Sequence, residues 1–205
     1  MQPKNRILLP DGLTLYFARH GQTEANVERR FSGYKDTSLT PLGLEQAAQV
    51  GAILKREIGG NPGYHFVSSP LARAMTTMKI ARQAMGLAPE GFATDNRLKE
   101  INLGVWDQLT DEEARAVSPI LFETRGNDKW HVRVPGGENY AEVAARISDW
   151  VQELKADTVA ISHGATTRIL RGLLAGLDWR AMSSLDEPQG VVFRVRGTEV
   201  VKLEP

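Results

Sequence analysis

Two histidines, each followed by glycine, mark the places where this sequence could do chemistry: Arg19-His20-Gly21 and Ser162-His163-Gly164. Two more polar clusters interrupt apolar runs, Ser68-Ser69-Pro70 with Arg73 close behind, and Arg97-Leu98-Lys99-Glu100. If the four segments meet, two imidazoles, two guanidinium groups and a carboxylate share one pocket. Helix N-termini present free backbone N–H groups and a partial positive charge, so a pocket built where helices begin is an anion site. Arg19 and Arg73 add planar forks that match phosphate oxygens. Gly21 and Gly164, directly after the histidines, would let the backbone approach a ligand closely. Phosphate is the anion this set of groups fits.

The two histidines need different work. A nucleophilic imidazole must be neutral, and neighbouring arginine charge pushes a histidine that way. Attack by His20 on phosphorus would give a phosphohistidine and divide transfer into two displacements. His163 would donate, as a charged or hydrogen-bonding group, to the charge developing on the phosphoryl oxygens. Glu100 can protonate the leaving alkoxide and then take a proton from the incoming water. The arginines would do here what magnesium does in other phosphoryl transfers. Two histidines and a carboxylate could also form a facial triad for iron or zinc, but Arg19 and Arg73 alongside would repel a cation.

The elements that must position these residues alternate between strand and helix. Leu13-Thr-Leu-Tyr-Phe-Ala18, bounded by Asp11-Gly12, reads as a strand ending at His20. Thr40-Pro41 gives an N-cap followed by proline at the first helical position. Leu44, Ala47, Ala48, Gly51, Leu54 and Ile58 then repeat at helical spacing until Gly59-Gly60. Tyr64 to Ser68 is a second strand, and Ser69-Pro70 is expected to cap a helix carrying Ala74, Met78 and Ala81 on one face. Residues 102–134 read as an irregular insertion with one helix near Asp111 to Val117. Asn139 with Glu142 forms a capping-box variant ahead of Val143, Ile147, Trp150, Val151 and Leu154. Thr158 to Ile161 is a buried strand, Ala165 to Ala175 a helix, and Val191 to Val195 with Glu199 to Leu203 a closing hairpin around Arg196-Gly197-Thr198. The alternation predicts a three-layer α-β-α sandwich with a mostly parallel central sheet, in which ligands bind beyond the carboxyl ends of strands.

Composition narrows the function classes. A chain of 205 residues is expected to form one domain over 1–205 with a small lid at about 103–135. It contains no cysteine, which excludes disulfides, thiolate metal sites and thiol nucleophiles. Its 25 basic and 25 acidic side chains balance, which argues against nucleic-acid and membrane-surface partners, since both need a basic excess. The apolar stretch Ile7-Leu8-Leu9 before Pro10 is too short for a signal-peptide core, so cytoplasmic placement is the expectation. The C-terminal hairpin could expose a pairing edge to a second copy, which leaves a homo-oligomer open.

Tyr16-Phe-Ala-Arg-His-Gly-Gln-Thr-Glu-Ala-Asn26 resembles the signature of the histidine phosphatase, or phosphoglycerate mutase-like, superfamily. Further blocks match in order: Phe31-Ser32-Gly33, Leu39-Thr-Pro-Leu-Gly43, Ser69-Pro-Leu-Ala-Arg-Ala74 with Thr77, Leu98-Lys-Glu100 before Gly104, and Ser162-His-Gly164 with Arg168. The tripeptides alone are weak signals, but the ordered set from about Leu13 to Ala175 is specific. The resemblance implies that His20 is the phosphorylated nucleophile, that Arg19, Arg73 and His163 complete the phosphate pocket, and that Glu100 is the proton donor. It also implies that Asn26, Ser32, Gly33 and Gly164 lie at the phosphoryl group, and that the substrate is a small phosphate ester handled without metal or organic cofactor.

That family contains phosphatases and cofactor-dependent mutases. Mutases of this type look longer, with a basic insertion containing paired arginines after the catalytic glutamate. Here 101–134 holds only scattered Arg115, Arg125, Lys129 and Arg133, and Leu103 stands where mutases tend to carry tyrosine. A mutase must also keep water from its phosphohistidine with a closing lid or tail, whereas this chain ends in a sheet-edge hairpin. Phe31-Ser32-Gly33 points the other way, resembling the mutase version of its loop. The phosphatase is the expected activity. A binding protein that recognises phosphorylated partners without turnover is a third reading, opposed by the full set of catalytic residue types. Outside the site, His65 and His131 read as packing or surface, Glu28-Arg29-Arg30 as a solvated face, Arg168 as a buried structural arginine, and Asp107 and Asp111 as surface or capping acids.

Overall fold

The computed structural model describes residues 6–60 and 63–205. In chain order the strands are β1 (Thr14–Arg19), β2 (His65–Ser68), β3 (Ala93–Thr94), β4 (Thr158–Ser162), β5 (Val192–Arg196) and β6 (Glu199–Leu203). The helices are α1 (Glu24–Val27), α2 (Pro41–Ile58), α3 (Ala72–Met85), α4 (Asp111–Val117), α5 (Pro119–Asn127), α6 (Tyr140–Gln152), α7 (Gly164–Ala175) and α8 (Trp179–Ser183), with short 3-10 turns at Asn96–Leu98 and Gly104–Trp106. The strands form one sheet in the order β3-β2-β4-β1-β5-β6. β3, β2, β4 and β1 run parallel, and β5 and β6 add an antiparallel edge.

Side-chain alternation along the central strands divides the core into two layers. Leu15 and Phe17 of β1 and Ala160 of β4 face Val143, Ile147, Ile169 and Leu170 of α6 and α7. Tyr16 and Ala18 of β1, with Val159 and Ile161 of β4, face Val50, Ile53, Ala74 and Met78 of α2 and α3. Successive residues of a strand point to opposite faces, so a strand buried on both sides needs an unbroken apolar run. Leu15 to Ala18 and Val159 to Ile161 supply those runs. The three-layer sandwich expected from the alternation is the fold observed.

The helix boundaries follow mostly local chemistry. The Thr40 hydroxyl accepts from the Gly43 amide at 3.0 Å, Pro41 fills the first helical position, and Gly59, with φ of 65°, ends α2. The Asn139–Glu142 capping box ahead of α6 is present. Ser69-Pro70 does not cap α3 as expected: the helix begins at Ala72, and its first amides donate to the distant Asp36 carboxylate, Ala72 at 2.8 Å and Arg73 at 3.3 Å. The insertion carries α5 in addition to α4, because Pro119 starts a second helix instead of breaking the first. Trp106, Ala114 and Val134 make a small core of its own, with Phe31, Leu121 and Phe122 around it. No helix among the described residues is long and apolar enough to cross a membrane.

Gly51 sets how closely α2 and α3 pack. A Cβ there would overlap the Ala81 carbonyl oxygen and stand 2.6 Å from Ala84 Cβ. Alanine improves helix propensity by about 1 kcal/mol, but backbone overlap in a packed interior costs more than that. Gly51→Ala is expected to destabilise by about 2 kcal/mol net, read as a fall in thermal midpoint of roughly 4–8 °C; an unchanged or raised midpoint would show that the helices yield.

Candidate active site

Three adjacent parallel strands end at one level. Arg19 of β1 pairs with Ser162 of β4, and Ser68 of β2 pairs with Ile161. The ladder runs one step further: His20 N–H donates to the Ser162 carbonyl and Ser69 N–H to the Ile161 carbonyl, each at 2.9 Å. Sheet register thus delivers Ser69, His163 and His20 to one edge, from three remote parts of the chain. The imidazoles of His20 and His163 are buried edge to face, with ring centroids 5.1 Å apart.

Hydrogen bonds give the two rings different faces. His20 Nδ1 lies 2.7 Å from the Gly21 carbonyl, an acceptor, so the proton resides on Nδ1 and the Nε2 lone pair is free. His163 Nε2 lies 2.7 Å from Ser69 Oγ, which already accepts from the Leu71 amide at 3.3 Å. When the Ser69 hydroxyl donates its proton to His163 Nε2, Nδ1–H of His163 is a free donor, and that Nδ1 is buried with no protein partner. Burial, followed by the charges of Arg19 and Arg73, holds His20 well below the ordinary histidine range. Burial first, then Arg73, His20 and Arg19, do the same to His163. Both rings are neutral, which suits a nucleophile and makes His163 a hydrogen-bond donor without formal charge.

Glu100 sits across from them against the start of α7. Its carboxyl group accepts from the Ile101 amide at 2.9 Å and from the Ala165 and Thr166 amides, each at 3.2 Å. Burial and then the nearby Glu187 raise its proton affinity despite these donors. A carboxyl group whose proton affinity is raised in this way is suited to general-acid chemistry.

The two arginines occupy different stations. Arg19 Nη1 donates to the Glu187 carbonyl at 2.7 Å and lies 3.7 Å from the Glu187 carboxylate. Arg73, whose side chain is 0% exposed, spends its terminal N–H groups on the loop before α2: Lys35 carbonyl at 3.0 Å, Asp36 at 2.9 Å, Ser32 carbonyl at 3.2 Å and Gly33 carbonyl at 2.7 Å. Only Nε of Arg73 is left, buried and without a partner, as are Nε of Arg19 and Nε of Arg168.

A cavity of about 360 Å³ is lined by Arg19, His20, Asn26, Ser32, Glu100 and Glu187 among others; the more deeply buried His163 and Arg73 do not line it. Asn26 lies at its wall, with Oδ1 accepting from the Thr23 amide and from Gln189 at 3.1 Å each. Gly33 is not at the wall; its amide donates to Asp107 at 2.8 Å, and its carbonyl holds Arg73. Asp107 is thus the anchor of residues 33–35 and no mere surface acid. Gly21 serves close packing, since a Cβ there would overlap the Gly43 carbonyl, while a Cβ on Gly164 would stand 2.5 Å from Glu187 Oε2 and 3.2 Å from Arg19 Cζ.

The lid reaches the cavity with groups the sequence left unassigned. Arg125, Lys129 and Asp111 line it, as do Tyr140 and Arg168. Arg168 is therefore a site residue, 3.1 Å from both Tyr140 Oη and Glu187. Arg30 also lines the cavity, tied to Glu28 and Glu113 at 2.8 Å each, so it is no solvated face. The segment Asp186–Gly190, whose sequence carries no motif, supplies Glu187 and Gln189; only the distance from Arg19 across 168 positions reveals them. His131 lies outside, exposed and paired with Asp128, and the His65 side of β2 is exposed as well. Among the described residues no group of three or more histidines and acids could hold a metal ion.

The model of the histidine phosphatase superfamily (branch 1) matches residues 15–199. A Yersinia pestis (strain Pestoides F) protein named "Probable phosphoglycerate mutase GpmB" is 35% identical over 176 residues, covering 80% of this chain and 76% of the relative. The crystal structure of the alpha-ribazole phosphatase from Shigella flexneri superposes with a TM-score of 0.78, covering 92% of this chain and 94% of that one; at 21% identity this likeness is one of fold. A mycobacterial glucosyl-3-phosphoglycerate phosphatase, solved in complex with VO3, superposes with a TM-score of 0.75 at 27% identity, over 93% and 96% of the two chains.

Asp36 joins the start of α3 to the buried Arg73 guanidinium, and two-thirds of its side chain is shielded. Asp36→Ala removes a cap and a charged hydrogen bond together, an expected loss of about 2 kcal/mol. Denaturant titration measures the loss, and hydrogen exchange should show residues 32–37 opening first; unchanged protection there would mean that Arg73 holds the loop unaided.

Proposed function

The chain belongs to the histidine phosphatase superfamily, and from that premise we propose that it is a metal-independent phosphatase hydrolysing small phosphomonoesters through a phosphohistidine on His20. One observation carries the reading: a buried, neutral His20 whose Nδ1 is committed to the Gly21 carbonyl, leaving Nε2 as a nucleophile among arginines. In the first displacement the Nε2–P bond forms as the P–O(ester) bond breaks, and Glu100 gives its proton to the departing alkoxide. In the second, water attacks phosphorus, Glu100 takes the proton back, and His20 is released with inorganic phosphate. Arg19 and the buried donors Nδ1–H of His163 and Nε–H of Arg73 and Arg168 meet the charge on the phosphoryl oxygens.

The same groups would serve a mutase, and the 35% identity to the Yersinia relative favours that second reading. A mutase must return the phosphoryl group to a bound hydroxyl before water takes it. The cavity here opens beneath a lid of only two short helices, α4 and α5. That short cover supports hydrolysis. The two readings separate by whether 2,3-bisphosphoglycerate primes isomerisation of 3-phosphoglycerate faster than phosphate is released.

Phosphate release from a panel of phosphomonoesters in EDTA is expected for the natural protein and absent from His20→Ala with its fold intact. Retained turnover in that variant would sink the phosphohistidine. Glu100→Gln should lower kcat/KM about 10²–10⁴-fold for alkyl phosphates and far less for p-nitrophenyl phosphate, whose leaving phenolate needs little protonation. In pH profiles with alkyl phosphates, activity should persist below the raised Glu100 pKa and fall as pH climbs through it. The acid-side fall should lie below the ordinary histidine range, since His20 stays neutral there. An acid limb at or above the ordinary histidine value would contradict the assignment.

A further inference from the structure

The protein places one of its own carboxylates where an oxyanion would bind. Glu187 Oε1 lies 3.1 Å from Arg168 Nη2, and Oε2 lies 3.7 Å from Arg19 Nη1. The 2.5 Å between Oε2 and a Cβ built on Gly164 puts the same carboxylate against the first residue of α7. His20 and Glu100 line the cavity with it. Two arginines facing the nucleophile are the fittings of the phosphoryl site, and Glu187 is using them. We propose that Glu187 is an internal competitor for that site: its carboxylate holds Arg19 and Arg168 in the free protein, a phosphoryl group displaces it on binding, and it returns as inorganic phosphate leaves. The proposal rests on the phosphate-site reading above.

Three observations support displacement over a fixed role. Glu187 lies between α8 and β5 outside any regular element, and its side chain is 25% exposed, so it can leave by rotation of its own bonds. Its two oxygens leave Nε of Arg19 and Nε of Arg168 buried without partners. A tetrahedral group with three free oxygens and a second negative charge can satisfy more of these donors than a planar monoanion. Lys129 lines the same cavity and has no ion-pair partner among the described residues, so the displaced carboxylate has a cation to meet. An anion that must evict Glu187 binds more weakly than the bare arginines would allow. That penalty falls on product as on substrate, and it limits product inhibition.

The deciding measurement is calorimetric titration of inorganic phosphate into the natural protein, Glu187→Gln and Glu187→Ala, each checked for an unchanged fold by circular dichroism. The proposal expects a phosphate dissociation constant lower by about tenfold in Glu187→Ala, within the usual range of coupling between competing sites, with Glu187→Gln shifted in the same direction. The inhibition constant of phosphate against p-nitrophenyl phosphate should fall in parallel. If Glu187 instead holds Arg19 in place for the substrate, both variants will bind phosphate more weakly; equal or weaker binding overturns the proposal and leaves the phosphatase reading standing. Tighter phosphate binding without turnover of any ester would uphold the competitor and remove the phosphatase. Failure of all three proteins to bind phosphate would remove both.

Discussion

The parallel ladder linking β2, β4 and β1 is the constraint on which the rest of this structure depends. Its register places Arg19 level with Ser162, and the hydrogen bonds from His20 and Ser69 continue the ladder just past the strand ends. Parallel strands share a direction, so their carboxyl ends lie at one edge, and the helix that follows each strand starts there. One edge therefore receives both imidazoles, the Ser69 hydroxyl that fixes one of them, and the first amides of α7 that hold Glu100. The apolar runs of β1 and β4, buried on both faces, keep this edge rigid: every residue from Leu15 to Ala18 is almost wholly buried.

Charge is distributed on that frame with economy. Burial and the arginines together hold both histidines toward the neutral form, while burial and Glu187 raise the proton affinity of Glu100. Neutral imidazole and protonated carboxyl are the states that nucleophilic attack and leaving-group protonation require. The same low-dielectric surroundings that enforce them also make unpaired cations costly, which explains why Arg73 is surrounded by four oxygen acceptors and why Glu187 folds onto Arg19 and Arg168. Arg73 acts on the site in part through the loop it holds: by gripping the Ser32 and Gly33 carbonyls it fixes the wall that Ser32 presents to the cavity.

The lid is a different kind of structure. Its small core of Trp106, Ala114 and Val134 is separate from the two layers beside the sheet, and Phe31 bridges it to the rest. Arg125 and Lys129 enter the cavity from it without ion-pair partners among the described residues, so the lid contributes positive charge as well as cover.

The sequence by itself determined the frame and the reactive pair. Apolar runs of strand length, Thr40-Pro41 and the Asn139–Glu142 box are local signals, each read within a few residues, and they placed β1, β2, β4, α2, α6 and α7 to within a residue or two. His20, His163 and Arg19 were legible because each sits directly beside such a boundary, and Glu100 because it belongs to the ordered set of motifs. The tertiary structure alone decided the rest. The N-terminus of α3 is capped from Asp36, not from the adjacent Ser69, and a bond between positions so far apart leaves no local pattern. Gly21 is adjacent to a histidine, but its neighbour Gly43 comes from elsewhere and turns a ligand-approach expectation into one of chain packing, whereas Gly164 faces the Glu187 carboxylate and Arg19. Arg168 turned out to line the cavity, and Glu187 came into view, for the same reason. A side chain's charge is written in the sequence, whereas which charges face each other is fixed only when strands from distant segments share an edge.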